Sequence, residues 1–138
     1  MKNILGQVVI ATILIAIPQL AHGKEYTVKM ISTGEKGSYY FEPKKLKIKS
    51  GDTVTWVNMQ DEEHNVMMEK IPASAKEVDS PLLEKKGDKW SHTFTVSGTY
   101  SYHCHPHASL MKGMIIVDTP SKSAQMKEAE GHKHSHHN

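Results

Sequence analysis

The chain has a single cysteine, Cys104, among 138 residues. A disulfide within the chain is therefore excluded, and Cys104 must be buried and inert, or reactive, or a metal ligand. Neither sign of charge dominates: 17 Lys and Arg face 15 Asp and Glu, a formal net charge of +2. That balance argues against nucleic acid as a partner. There is no internal repeat, and the one sustained apolar run lies at the N-terminus. What the chain has in excess is histidine, ten in all, together with eight methionines.

The N-terminal run, Ile4 to Ile17, is interrupted only by Gly6, Gln7 and Thr12 and follows the positive Lys2. It is short for a membrane span. Pro18 and then Ala21-His22-Gly23 supply a helix break and small residues at the cleavage-determining positions. Residues 1–23 read as a signal peptide cut after Gly23, implying export to the periplasm and no membrane attachment afterwards. Cleavage removes one charge, Lys2, and leaves 115 residues with 16 basic and 15 acidic side chains and nine histidines. That length suits one domain with a core of its own. Past Asp118 the composition turns to Ser, Lys, Glu, Gly and His without apolar periodicity. Residues 24–118 are thus the expected domain, and 119–138 a flexible histidine-rich tail.

Within 24–118, short runs with strand character alternate with turn signals, which predicts an all-β Greek-key sandwich. Glu25 to Ile31 and Leu46 to Lys49 alternate polar and apolar, and Ser50-Gly51-Asp52 turns the chain. Thr53 to Val57 places Val54 and Trp56 on one face; Trp90, His92, Phe94 and Val96 share another. Tyr100, Tyr102 and Cys104 line one face of a strand from Thr99, and Met114 to Val117 reads as the last strand. Ile71 to Lys86 does not alternate, and Ser74 to Leu83 is expected to hold a short helix or an irregular crossing segment.

Cys104 opens the loop Cys104-His105-Pro106-His107-Ala108-Ser109-Leu110-Met111. Thiolate, imidazole and a weak thioether together select copper, in a trigonal site with a long axial bond. Such a site needs a second imidazole from elsewhere in the chain. His64 is the candidate, because it follows the strand Thr53–Val57 at an end where a sandwich gathers distant loops.

Val28 to Val117 resembles the cupredoxins, and pseudoazurins most closely. The matching residues are Tyr40-Phe41-Glu42-Pro43, Gly51-Asp52-Thr53-Val54, His64-Asn65-Val66, Lys70-Ile71-Pro72, Thr93-Phe94-Thr95, Gly98-Thr99-Tyr100 and Cys104-x-Pro106-His107. The resemblance implies one copper ion held by His64, Cys104, His107 and a methionine, in a one-electron centre that a shorter axial bond would move from blue toward green. In pseudoazurin-like loops the methionine lies five residues after the histidine, where this chain has Lys112. The segment Leu110-Met111-Lys112-Gly113 is similar instead to the azurin loop, which assigns the axial role to Met111. Asn65 is implied to hydrogen-bond across to the Cys104 loop. The helices with which pseudoazurins end have no counterpart here.

Two readings stay open for His103 and His105: exposed polar residues, or a second, solvent-facing copper site. The order His-Cys-His is similar to that of multicopper oxidases, but those enzymes need further paired histidines from another domain, so no enzyme activity is expected. His132, His134, His136 and His137 of the tail form an imidazole cluster able to bind Cu(II), Ni(II) or Zn(II). His92 is expected to be structural. The leading functional expectation is a monomeric periplasmic copper protein contributing to copper binding and tolerance, with Met67 and Met68 taken as exposed thioethers. The alternative is an electron shuttle to a nitrite reductase or cytochrome. It would dock near His107 through Pro106, Ala108 and Leu110, and be steered by Lys44, Lys45, Lys70 and Lys112.

Overall fold

The computed structural model describes residues 23–34 and 38–120. The signal peptide, Gly23 apart, and the tail histidines lie outside the described residues. Eight strands form two four-stranded sheets. They are β1 (Glu25–Ser32), β2 (Tyr39–Glu42), β3 (Lys45–Lys49), β4 (Thr53–Asn58), β5 (Met67–Lys70), β6 (Lys89–Thr93), β7 (Gly98–His103) and β8 (Lys112–Asp118). One sheet runs β2-β1-β4-β6 and the other β3-β8-β7-β5. The pairs β1–β4 and β3–β8 are parallel; the remaining pairs are antiparallel.

The alternation seen in the sequence becomes burial. Val28, Met30, Phe41, Val54 and Trp56 of the first sheet face Ile48, Tyr100, Tyr102, Ile115 and Val117 of the second. The centre of the core is aromatic: the Tyr102 ring meets Phe41 edge-on at 4.7 Å and Trp56 at 5.4 Å, and Trp56 lies 5.3 Å from Trp90. Such edge and tilted arrangements suit the ring quadrupoles and add to the area they bury. The Ser50-Gly51-Asp52 turn is held by Asp52, which accepts the backbone N–H groups of Lys24 and Lys49 at 2.8 Å each. Gly51 takes a φ of 96° there, in the region that disfavours a Cβ.

Three local expectations are corrected. The strand expected to carry Trp90 through Val96 ends at Thr93, because the Phe94 N–H turns to the Asp52 carbonyl at 3.0 Å. Phe94 is still buried. The last strand starts two residues earlier than expected, since Lys112 and Gly113 pair with His103 and Tyr102. Met68 is buried, not exposed: it pairs with Tyr102, whose side chain points into the core, and only Met67 is partly open to solvent. Between β5 and β6 the segment is irregular rather than helical, in keeping with Pro72 and Pro81.

Candidate metal centre

That irregular segment fixes the position of His64. His64 and Leu83 exchange backbone hydrogen bonds of 3.0 and 2.8 Å. Two residues on, the Val66 N–H donates to the Ser80 hydroxyl at 2.8 Å, and the Ser80 N–H returns to the Val66 carbonyl at 2.9 Å. On the other side, the fully buried Asn58 at the end of β4 donates through Nδ2 to the carbonyls of Glu62 and Leu83, at 2.7 and 2.8 Å. The loop from β4 to His64 is thereby clamped from within. Nothing in local sequence marks Asn58 for this role.

Cys104 follows β7 and precedes a single 3-10 turn, His105–His107. The loop closes on itself through backbone bonds: Cys104 N–H to the Met111 carbonyl at 3.0 Å, and Met111 N–H to the His107 carbonyl at 2.9 Å. Met111 is fully buried where the loop closes. Asn65 joins the two halves, its Oδ1 accepting the His105 N–H at 2.7 Å.

These elements bring three donor atoms together. The Cys104 sulfur lies 3.6 Å from His64 Nδ1 and 3.7 Å from His107 Nδ1, and all three atoms fall within 4.8 Å of one another. Bonds of about 2.3 Å to sulfur and 2.0 Å to nitrogen, meeting at trigonal angles, would set sulfur and nitrogen about 3.7 Å apart. The two sulfur–nitrogen sides therefore have the length a metal in their plane requires.

The electrostatics point the same way. Burial pushes the Cys104 thiol up from its ordinary pKa, against hydrogen bonds from the Asn65 and His107 backbone N–H groups to the sulfur. Without a cation the thiol keeps its proton; a metal ion reverses that preference, and the two N–H groups are already placed to stabilise the thiolate. Burial, reinforced by repulsion from His107, lowers His64, so its imidazole stays neutral with a lone pair to offer.

His107 is held differently. Tyr39 stacks on its ring, with centroids 3.8 Å apart and an interplanar angle of 12°, and Glu62 Oε1 lies 3.4 Å from its Nε2. The Glu62 carboxylate sits below its ordinary pKa, first through a hydrogen bond from Ser32, then through Tyr39 and the imidazoles of His107 and His64. Sequence reasoning missed both Tyr39 and Glu62, since their contacts with His107 span dozens of residues. Around them the rim is apolar and open: Pro106 and Ala108 are exposed, and Leu110 is 52% exposed.

Residues 26–118 match the family described as "Copper binding proteins, plastocyanin/azurin family". The chain belongs to this family, the cupredoxins. It is 40% identical over 78 residues to amicyanin of Paracoccus denitrificans, covering 56% of this chain and 58% of that protein. It is 36% identical over 99 residues to plastocyanin of Scenedesmus fuscus, covering 67% of this chain and 99% of the other. The chain thus spans less than two thirds of the amicyanin but nearly all of the plastocyanin. The fold also superposes on a pseudoazurin from Sinorhizobium meliltoi with a TM-score of 0.55 and 30% identity, over 75% of this chain and 81% of that one. The cofactor is copper, and His64, Cys104 and His107 of this cupredoxin are positioned as a type 1 copper site.

The other histidines lie apart from this triangle. His92 stands in β6, stacked parallel to Trp90 and edge-on to Phe94, with its pKa lowered by burial. Neither His103 nor His105 belongs to the group of donors around Cys104, and His105 opens the 3-10 turn rather than continuing the strand. His103 is half-buried against Glu69 rather than freely exposed, while His105 is exposed. Lys44, Lys45, Lys70 and Lys112 are all exposed, and Lys112 lies 3.7 Å from Glu69.

Proposed function

We propose that this cupredoxin is an exported copper protein that contributes to copper binding and tolerance, with His64, Cys104 and His107 as the in-plane ligands and Met111 as the axial donor of a one-electron centre. The observation that carries the reading is the buried sulfur–nitrogen triangle, whose two sulfur–nitrogen sides have copper-binding length. Copper held there supplies reversible one-electron chemistry. The chain's part is to keep the donor geometry nearly unchanged between oxidation states, which the clamps on His64 and the closed Cys104–Met111 loop favour. Met111 supports its assignment by being fully buried where the loop folds back on Cys104.

Copper handling is favoured over pure shuttling by the surroundings of His107. Tyr39 covers its ring and Glu62 stands at its outer nitrogen, so its side chain is only 16% exposed. The histidine-rich sequence 132–137 adds donors that an electron carrier does not need. An electron-shuttle reading is favoured by the apolar rim of Pro106, Ala108 and Leu110, which offers a docking surface for a redox partner.

The test is complementation of a strain lacking the gene, grown in graded copper. The full chain restores growth. Cys104→Ser and a chain with alanine at His132, His134, His136 and His137 both restore it less. If both variants protect as well as the full chain, the tolerance reading fails and the shuttle reading stands.

A further inference from the structure

The outer face of the sheet β3-β8-β7-β5 carries a group of donors that the copper triangle does not use. Cys104 is fully buried just past β7, while His103, the last residue of that strand, lies opposite Met67 on the outer face, and His105, which opens the 3-10 turn, is exposed. His103 Nδ1 lies 2.9 Å from Glu69 Oε1, yet that buried nitrogen makes no well-formed hydrogen bond. Two metal–ligand bonds of about 2.0–2.1 Å meeting at a right angle place their donor atoms about 2.9 Å apart. The spacing of this nitrogen and oxygen is thus that of neighbouring ligands on one ion.

A third donor is close by. The His103 and His105 rings have centroids 6.3 Å apart and planes inclined at 45°. A metal bound at a ring nitrogen sits about 3 Å from the ring centre. With about 1.1 Å from ring centre to nitrogen added to the bond, two rings at this separation flank a single ion only from opposite sides, as trans ligands. Met67 stands directly opposite His103 in the β5–β7 pairing, so its thioether belongs to the same face.

We propose that Glu69, His103 and His105, with Met67 beside them, form a second copper-binding site on this face, separate from the cysteine centre. Two imidazoles and a carboxylate suit tetragonal Cu(II), and a neighbouring thioether adds affinity for Cu(I). Lys112 opposes the ion. Its Nζ lies 3.7 Å from Glu69 Oε1, but the side chain is 54% exposed and its long stem can swing the ammonium away. Lys112 acts as the resident counter-charge that an arriving cation displaces. The site stands independently of the physiological role proposed above.

The experiment uses the full chain with alanine at His132, His134, His136 and His137, its cysteine centre first filled with one equivalent of Cu(II). Further Cu(II) alone is then titrated by calorimetry and electron paramagnetic resonance. One additional equivalent binds, with a tetragonal signal split by nitrogen. Glu69→Gln and His103→Gln each weaken that second binding tenfold or more while the visible thiolate band of the first centre stays unchanged. Lys112→Gln strengthens it severalfold, a gain that damage to the fold cannot produce. The proposal is overturned if no second equivalent binds, or if it binds with the same affinity in all three variants.

Discussion

Asn65→Ala tests how the two ligand loops are held together. Asn65 is 7% exposed, and its Oδ1 accepts the His105 N–H at 2.7 Å, bridging the loop that carries His64 to the loop that carries Cys104 and His107. Alanine removes the acceptor and leaves that backbone N–H without a protein partner. A lost hydrogen bond of this kind costs about 1–3 kcal/mol. In a domain of this size each kcal/mol lowers the melting temperature by about 4–8 °C, so a loss of about 2 kcal/mol predicts a fall of roughly 8–16 °C. The assay is thermal unfolding of the metal-free full chain followed by circular dichroism, which keeps copper's own contribution out. Asn65→Asp separates the hydrogen bond from the charge. It keeps an acceptor in the same place and holds most of the melting temperature, while its carboxylate opposes the thiolate and weakens copper binding. An alanine variant melting within about 2 °C of the parent, a change under about 0.5 kcal/mol, would refute the bridging role.

Three further perturbations follow from the same structure. Met111→Leu is nearly volume-conserving at a fully buried position, so stability changes by less than about 1.5 kcal/mol. The copper centre keeps its thiolate band but gains reduction potential, because a donor to Cu(II) is lost; voltammetry reads this, and an unchanged potential counts against Met111 as axial ligand. Gly113→Ala puts a Cβ onto the ring of Tyr102, which is fully buried against Phe41 and Trp56 and cannot withdraw. It costs about 1–3 kcal/mol in denaturant unfolding, whereas an exposed control such as Lys47→Ala stays within about 0.5 kcal/mol. Metal-free protein loses stability on acidification: burial and His107 hold His64 below the ordinary imidazole value, and burial does the same to His92. The unfolded chain therefore takes up these protons first. Stability is complete above about pH 6.5 and falls as pH drops through the lowered folded values. A denaturation midpoint that is flat or rising from pH 7 to 5 contradicts this.

What the sequence made legible was whatever repeats locally or is chemically rare. Strand alternation in Glu25–Ser32 and Thr53–Asn58 foretold which side chains enter the core, because a period of two is a property of the strand alone. Cys104 and His107 were legible as a pair because one loop holds a lone thiol beside imidazoles. His64 could be named because it follows the strand Thr53–Val57 at an end where a sandwich gathers loops, and because His64-Asn65-Val66 resembles the family pattern. Met68 was misread because its burial depends on pairing with Tyr102 just before a bulge in β5, a register that its own neighbours do not encode. Tyr39, Asn58, Glu62 and Leu83 were invisible for the same reason, each acting on a ligand only through a contact the fold creates.

The division between legible and illegible residues has a physical basis that bears on the centre itself. Donor atoms are few and chemically distinctive, so sequence reveals them. The frame that spaces them is built from ordinary hydrogen bonds: the His64–Leu83 pair, Asn58 to Glu62 and Leu83, Asn65 to His105, and Cys104 to Met111. Each contributes only about 0.5–1.5 kcal/mol, and any one could be replaced in another chain by a different pair. Together they hold the sulfur 3.6 and 3.7 Å from the two nitrogens. A triangle kept at that size by the protein gives a departing or arriving electron little structure to rearrange. The one-electron role proposed above would therefore rest as much on Asn58 and Leu83 as on Cys104.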